Sequence, residues 1–224
     1  MNAPPLTPQS ALVTVDIVSD IVCPWCWLGA RYFQDAARRY SGKVKLVWHP
    51  YMLDPSVPAG GMPYRDYMKT KFGDAPSSRW KAMRDHLETA GPMAGIDFRF
   101  SDIPMRPNTL NAHRVMRWAS GQDKAGAMAE ALFKAFFTDH KDVGDNAVLA
   151  ALAKDAGLDA AVVADLLATD KDITAVENEI AHVRQLGISG VPTFIYNGQF
   201  AVQGAQPSDK HLNALAKASA APEN

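Results

Sequence analysis

The chain holds two cysteines, and they stand two residues apart in Cys23-Pro24-Trp25-Cys26. The segments on either side restrict this pair more than anything else in the sequence. Upstream, Val13, Val15 and Ile17 alternate with polar residues and Val18 adds a second apolar face, so Ala11 to Val18 reads as a strand. Downstream, Cys26, Phe33, Ala36, Ala37 and Tyr40 recur at helical spacing, which predicts a helix from Pro24 to Tyr40 that Ser41-Gly42 ends. Val44 to Trp48 alternates again and reads as a second strand. A strand, a helix and a strand joined by short loops make a right-handed parallel crossover.

The pair therefore falls where a strand ends and a helix begins. The first turn of a helix has free N–H groups and the positive end of the helix dipole, so it stabilises a thiolate. Cys23 is expected to be the exposed, readily ionised nucleophile. Cys26 comes one turn later on the inward stripe, close enough to attack a disulfide formed at Cys23. Pro24 supplies a fixed φ where no N–H is needed.

Two other uses of the pair compete with redox chemistry. A zinc site needs four ligands, and here no second cysteine pair exists; His49 is the one further candidate by sequence distance. A structural disulfide, or two packed thiols, is the blander alternative. The junction of strand, cysteine pair and helix favours redox chemistry over both. No metal is expected.

The rest of the chain changes character after the second strand. Asp54 to Gly61 is a loop rich in Pro and Gly, and the residues beyond it are mostly helical in pattern. Ser77 or Ser78 is expected to cap a helix with Trp80, Met83 and Leu87 inward, and Asn108 one with Ala112, Val115 and Ala119 inward. Leu132, Phe133, Phe136 and Phe137 mark another helix. Asp145 is expected to cap a helix that stops at Gly157, and Asp159 a short one bearing Val162, Val163, Leu166 and Leu167. Ile173, Val176, Ile180 and Val183 form a further stripe. Val191 to Tyr196 reads as a strand, Asn197-Gly198 as a hairpin turn, Phe200 to Gln203 as the returning strand, and Ser208 or Asp209 as the cap of a last helix.

This order predicts an α/β protein. Residues 12–53 and 172–219 form a small sheet domain, and residues 54–171 an inserted all-helical domain; 1–11 and 220–224 are tails. With 23 basic against 24 acidic residues and a net charge of -1, no global field favours nucleic acid or an anionic membrane. No run of about 18 apolar residues predicts a membrane span. The polar, Pro-rich start from Met1 to Ser10 lacks the apolar region of a secretory signal, so a cytoplasmic location is expected.

Three segments together resemble the DsbA-like branch of the thioredoxin superfamily, and within it the FrnE-like dithiol–disulfide oxidoreductases and isomerases. They are Asp20-Ile-Val-Cys-Pro-Trp-Cys26 with Gly29, Asn108-Thr109 followed by Ala112-His113-Arg114, and Gly187-Ile-Ser-Gly-Val-Pro-Thr-Phe194. The resemblance implies a thioredoxin fold, with a central mixed sheet and a helical insert. It further implies that Cys23 attacks substrate disulfides and that Cys26 resolves the mixed intermediate. Val191 and a cis Pro192 would offer a backbone ledge to an extended substrate. Pro24 would border that ledge, and Trp25 would be an exposed aromatic platform between the thiols.

Two departures from the family pattern carry consequences. Thioredoxin has a buried acid six residues before its first active cysteine, where this chain has Ile17, flanked by Asp16 and Asp20. DsbA has a histidine between its cysteines, where this chain has Pro24-Trp25. Less thiolate stabilisation predicts a less oxidising couple than that of DsbA.

The alternative is a glutathione-dependent transferase or isomerase of the kappa-class or hydroxychromene carboxylate isomerase type. Such enzymes usually carry Ser in place of Cys23 and an acid after the last hairpin. Here that region is Gly204-Ala205-Gln206-Pro207, with no acid before Asp209. Three residues remain as accessory candidates. Asn108 reads most simply as a helix cap, His113 as a partly buried or surface histidine, and Asp20 as a loop cap; each has a substrate-facing, tuning or relay role as its alternative. The expected partner is a protein or small-molecule thiol or disulfide. No cofactor beyond the redox-active disulfide is expected, with glutathione as a candidate co-substrate and a homodimer as a candidate assembly.

Overall fold

In the computed structural model, which describes residues 12–73 and 78–220, β1 (Val13–Ser19), α1 (Pro24–Arg39) and β2 (Val44–Pro50) form the expected crossover. β1 and β2 are parallel, in register from Val13 opposite Val44 to Ser19 opposite Pro50. Far along the chain, β5 (Thr193–Tyr196) lies antiparallel to β1, and β6 (Phe200–Gln203) lies antiparallel to β5. The sheet order is β2-β1-β5-β6. Residues 197–199 connect the two strands, and Asn197 and Gly198 take left-handed φ of 49° and 66° in the turn that the Gln199 N–H closes on Tyr196 O.

The register decides where chemistry can occur. Thr193 pairs with Val18, so the segment entering β5 arrives beside the end of β1, where α1 begins. One face of the sheet packs against α1 and the last helix, α9 (Ser208–Ala220), through Val15, Ile17, Phe33, Phe194 and Leu215. On the other face Val18 meets Val183 of α8 (Ile173–Gln185) and Ile188.

Between β2 and α8 come α2 (Tyr64–Phe72), α3 (Ser78–Met93), α4 (Leu110–Ser120), α5 (Ala125–Phe137), α6 (Asn146–Asp155) and α7 (Ala160–Leu167). Two short strands that sequence reading missed, β3 (Met62–Pro63) and β4 (Met105–Arg106), pair across this segment. The buried side chains of these helices do not form a core apart from the redox turn. Cys23, Cys26, Trp27 and Leu28 belong to the same cluster as Leu87, Phe133 and Phe137. Trp27 stacks on Phe133 and Phe137, and its Nε1–H donates to Glu130 at 3.1 Å. Losing a buried aromatic side chain of this size costs about 3–5 kcal/mol, so α5 fixes the first turns of α1.

Helix starts obey local chemistry. Asp145 accepts from the Val148 N–H, and Asp159 from the Ala161 and Val162 N–H groups. Of the candidate caps for α3, Ser77 lies outside the described residues, as do the tails 1–11 and 221–224. Of the four apolar residues on the short α7, only Val163 and Leu167 turn fully into the core, and Val162 is 52% exposed. No helix among the described residues is long and apolar enough to cross a membrane.

Candidate active site

A tight backbone turn positions the two thiols. The Cys23 N–H donates to Asp20 O at 3.1 Å, and Cys23 then caps α1 in an extended conformation with Pro24 in the first turn. The Cys26 N–H donates to Cys23 O at 3.0 Å, so both residues share the first helical turn as free thiols. Cys23 is not exposed as expected: it is 3% accessible and Cys26 is 0% accessible. Strand register causes this, since the Val191-Pro192 turn lies over it. The Cys23 thiol points to Val191 O at 3.8 Å, a long contact even for sulfur.

Burial pushes the Cys26 thiol well up, and the hydrogen bond and charge of Cys23 push it further; Ser19 and the Asp20 backbone oppose this more weakly. Cys26 therefore holds its proton at neutral pH. The Val191-Pro192 peptide is cis, and Pro192 O accepts from the Gly204 N–H at 2.8 Å. Pro24, Trp25 and Val191 are half-buried around Cys23. Trp25 is thus not the open platform expected. Its ring lies against His86 of α3, with centroids 5.4 Å apart. His86 has no motif to announce it, so sequence reading missed it.

The accessory candidates divide. Asp20 is fully buried, and its Oδ2 accepts from the Leu53 N–H at 2.8 Å, the loop-capping role expected. His113 is 4% exposed, so it is a core residue and not a surface one. Its Nε2 donates to Tyr51 O at 2.9 Å and lies 3.5 Å from Asp20 Oδ1. Burial alone would raise the Asp20 carboxyl. His113, Arg106 and the Leu53 N–H outweigh it and hold that carboxyl below the usual range. Asn108 stands apart and is not itself the cap of α4, which is Thr109; one residue earlier, its Oδ1 accepts from the Leu110 N–H and its amide donates to Val57 O, so it ties the preceding loop to the helix start. His49, the extra ligand a zinc site would have needed, lies between Asp16 at 2.8 Å and Glu179 at 3.0 Å.

A dithiol at a helix start, facing a cis-proline turn on the neighbouring strand, is an arrangement for disulfide exchange. Residues 14–216 match the DSBA-like thioredoxin domain. The chain belongs to the DSBA-like thioredoxin family. This DSBA-like chain is 27% identical over 205 residues to the uncharacterized protein YwbO of Bacillus subtilis (strain 168), across 91% of this chain and 96% of that one. It superposes on the probable DsbA oxidoreductase SCO1869 from Streptomyces coelicolor with a TM-score of 0.85 at 29% identity, covering 95% and 92% of the two chains. A 2-hydroxychromene-2-carboxylate isomerase shares the fold at a TM-score of 0.66 and 16% identity, covering 92% and 93%. DSBA-like membership makes the protein an oxidoreductase or isomerase that acts on thiol or disulfide substrates.

Proposed function

We propose that the protein is a thiol–disulfide oxidoreductase in which Cys23 is the nucleophile and Cys26 the resolving thiol. The observation that carries this is the asymmetry of the pair. Cys23 stands at the cap of α1 against Val191 O, whereas Cys26 is wholly buried one turn behind and keeps its proton. In the reducing direction the Cys23 thiolate attacks one sulfur of a substrate disulfide. A Cys23–substrate disulfide forms, and the other substrate sulfur leaves as a thiolate that takes up a proton. Cys26 then loses its proton and attacks Cys23 Sγ, which releases the second substrate thiolate and leaves the Cys23–Cys26 disulfide. Two electrons pass from the dithiol to the substrate, and the reverse sequence oxidises a dithiol substrate.

The substrate, a protein or small-molecule thiol or disulfide, would lie along Val191 and Pro192 with Pro24 and Trp25 beside it. Backbone pairing there binds extended segments without demanding a particular sequence. Glutathione would act as a co-substrate, not a resident cofactor. A cytoplasmic setting suits a chain whose two cysteines form one active pair and staple nothing else. The glutathione-dependent isomerase reading is weakened by the cysteine at position 23 and by Asp209, which pairs with Arg39 at 2.6 Å.

Insulin reduction by dithiothreitol tests the proposal. The wild-type protein is expected to accelerate it, and Cys23→Ser to abolish the acceleration. Equal rates with the two proteins would reject the reading in favour of a non-catalytic binder.

A further inference from the structure

Two distant parts of the chain border the redox turn. In the cis-proline turn, Val191 O faces the Cys23 thiol. From the helical insert, the exposed His86 of α3 lays its imidazole against the half-buried ring of Trp25, with centroids 5.4 Å apart and planes 38° apart. α3 is firmly placed there. Leu87, next to His86, is wholly buried in the cluster that holds Cys23, Cys26 and Trp27. Nearby on the same helix, Arg84 donates through Nη2 to Ser101 Oγ at 2.9 Å and through Nε to Glu88 at 2.7 Å.

Four other histidines direct a ring nitrogen at a protein oxygen: His49, His113, His140 and His211. His86 does not. Among the described residues neither of its ring nitrogens has a hydrogen-bond partner. The charged neighbours on α3 are already matched, Lys81 with Asp85 at 2.8 Å and Arg84 with Glu88. The imidazole is therefore oriented through its face, and its edge is left open beside the redox dipeptide. In either charge state a histidine ring carries at least one N–H donor.

We propose that His86 is a specificity residue whose ring N–H donates to a carbonyl or carboxylate oxygen of the substrate, close to the sulfur that Cys23 attacks. The inference rests on the thiol–disulfide reading above and extends its substrate site from Trp25 onto the helical insert. A cysteine within a peptide carries carbonyl oxygens a few bonds from its sulfur, and glutathione adds carboxylates. A plain alkyl disulfide has neither. One such hydrogen bond favours the carbonyl-bearing substrates by about three- to tenfold and takes no part in the exchange between sulfurs.

The test mixes the reduced full-length protein in stopped flow with an excess of one of three disulfides, and follows its oxidation by tryptophan fluorescence. The three are glutathione disulfide, a terminally blocked peptide disulfide and bis(2-hydroxyethyl) disulfide, which has no carbonyl. His86→Phe keeps a flat ring against Trp25 and removes the donor. It is expected to lower the second-order rate constant for the first two by about three- to tenfold and to leave the third at the wild-type value. His86→Ala should show the same selectivity. A fall with glutathione disulfide alone would support the contact and assign its acceptor to a carboxylate. Wild-type rates for His86→Phe with all three would overturn the proposal, because ring packing would then be the whole role of His86. An equal fall with all three would overturn it as well. Wild-type protein that is oxidised no faster than Cys23→Ser would instead reject the thiol–disulfide reading beneath it.

Discussion

Gly29 and Pro192 meet where α1 crosses the start of β5: a Cβ on Gly29 would stand 3.0 Å from Pro192 Cγ. The same atom would lie 3.4 Å from Ala205 Cα and from the Phe194 ring. The first turns of α1 reach the cis-proline turn because residue 29 carries no side chain. Gly29→Ala is expected to destabilise the fold by about 1–3 kcal/mol through overpacking. Disulfide exchange should fall by more than the lost folded fraction explains, because the push acts between α1 and Pro192. Urea unfolding and insulin reduction measure the two effects. Wild-type values for both would show that the approach has no consequence.

Asp20 and His113 form a buried pair behind the redox turn. Removing the imidazole leaves Tyr51 O without its donor and takes a stabilising contact from the buried Asp20 carboxylate, so His113→Ala should cost about 1–3 kcal/mol. The sign with pH comes from the depressed Asp20 carboxyl. Its stabilisation is complete above the ordinary value of 3.8 and is lost as pH falls through the lower folded value. His113→Ala raises that folded value, so acid unfolding should begin at higher pH than in the wild type. Circular dichroism during acid titration checks this, and an unmoved midpoint would contradict it.

His211 works on a different part of the pH scale. It is fully buried, its Nδ1 lies 2.6 Å from the Tyr196 hydroxyl, and its Nε2 has no partner. Burial lowers its pKa from 6.5 to about 4. The unfolded chain therefore binds a proton that the folded chain does not between those values, and stability falls as pH falls through that window. The loss approaches about 3 kcal/mol near the lower limit. His49 acts in the opposite sense. The Glu179 hydrogen bond raises its pKa against the effect of burial, and Asp16 adds to the rise. Its contribution is full below 6.5 and is lost as pH rises through the folded value. Thermal melts should show His211→Gln losing less stability than the wild type on acidification from pH 6.5 to pH 4. Parallel curves would contradict the assignment.

Trp25 occupies the position where DsbA has a histidine, and it packs on His86. Without a cation between the thiols, the reduced form is less stabilised. The Cys23–Cys26 couple should therefore lie below the DsbA value of about −120 mV. Equilibration in glutathione buffers, read by tryptophan fluorescence, gives the potential. A value at or above that of DsbA would refute the argument.

Local chemistry made much of this legible in the sequence. Alternation marked β1 and β2, the spacing of Val176, Ile180 and Val183 marked α8, and Asn197-Gly198 marked the hairpin. The cis Pro192 came from a resemblance, and strand register brings it to Cys23. Contacts between distant buried polar groups have no such local pattern. His113 reaches Asp20, and Trp25 meets His86, through packing that no single segment encodes. The β3–β4 pair is too short to show a period.

The division of labour between the thiols is tested most directly by trapping. Cys26→Ser and Cys23→Ser are each incubated with glutathione disulfide at neutral pH, and intact mass is monitored with time. A glutathione adduct should accumulate on Cys23 in Cys26→Ser, while Cys23→Ser stays unmodified over the same period. An adduct that forms on Cys26 in Cys23→Ser as fast as the first would contradict the account.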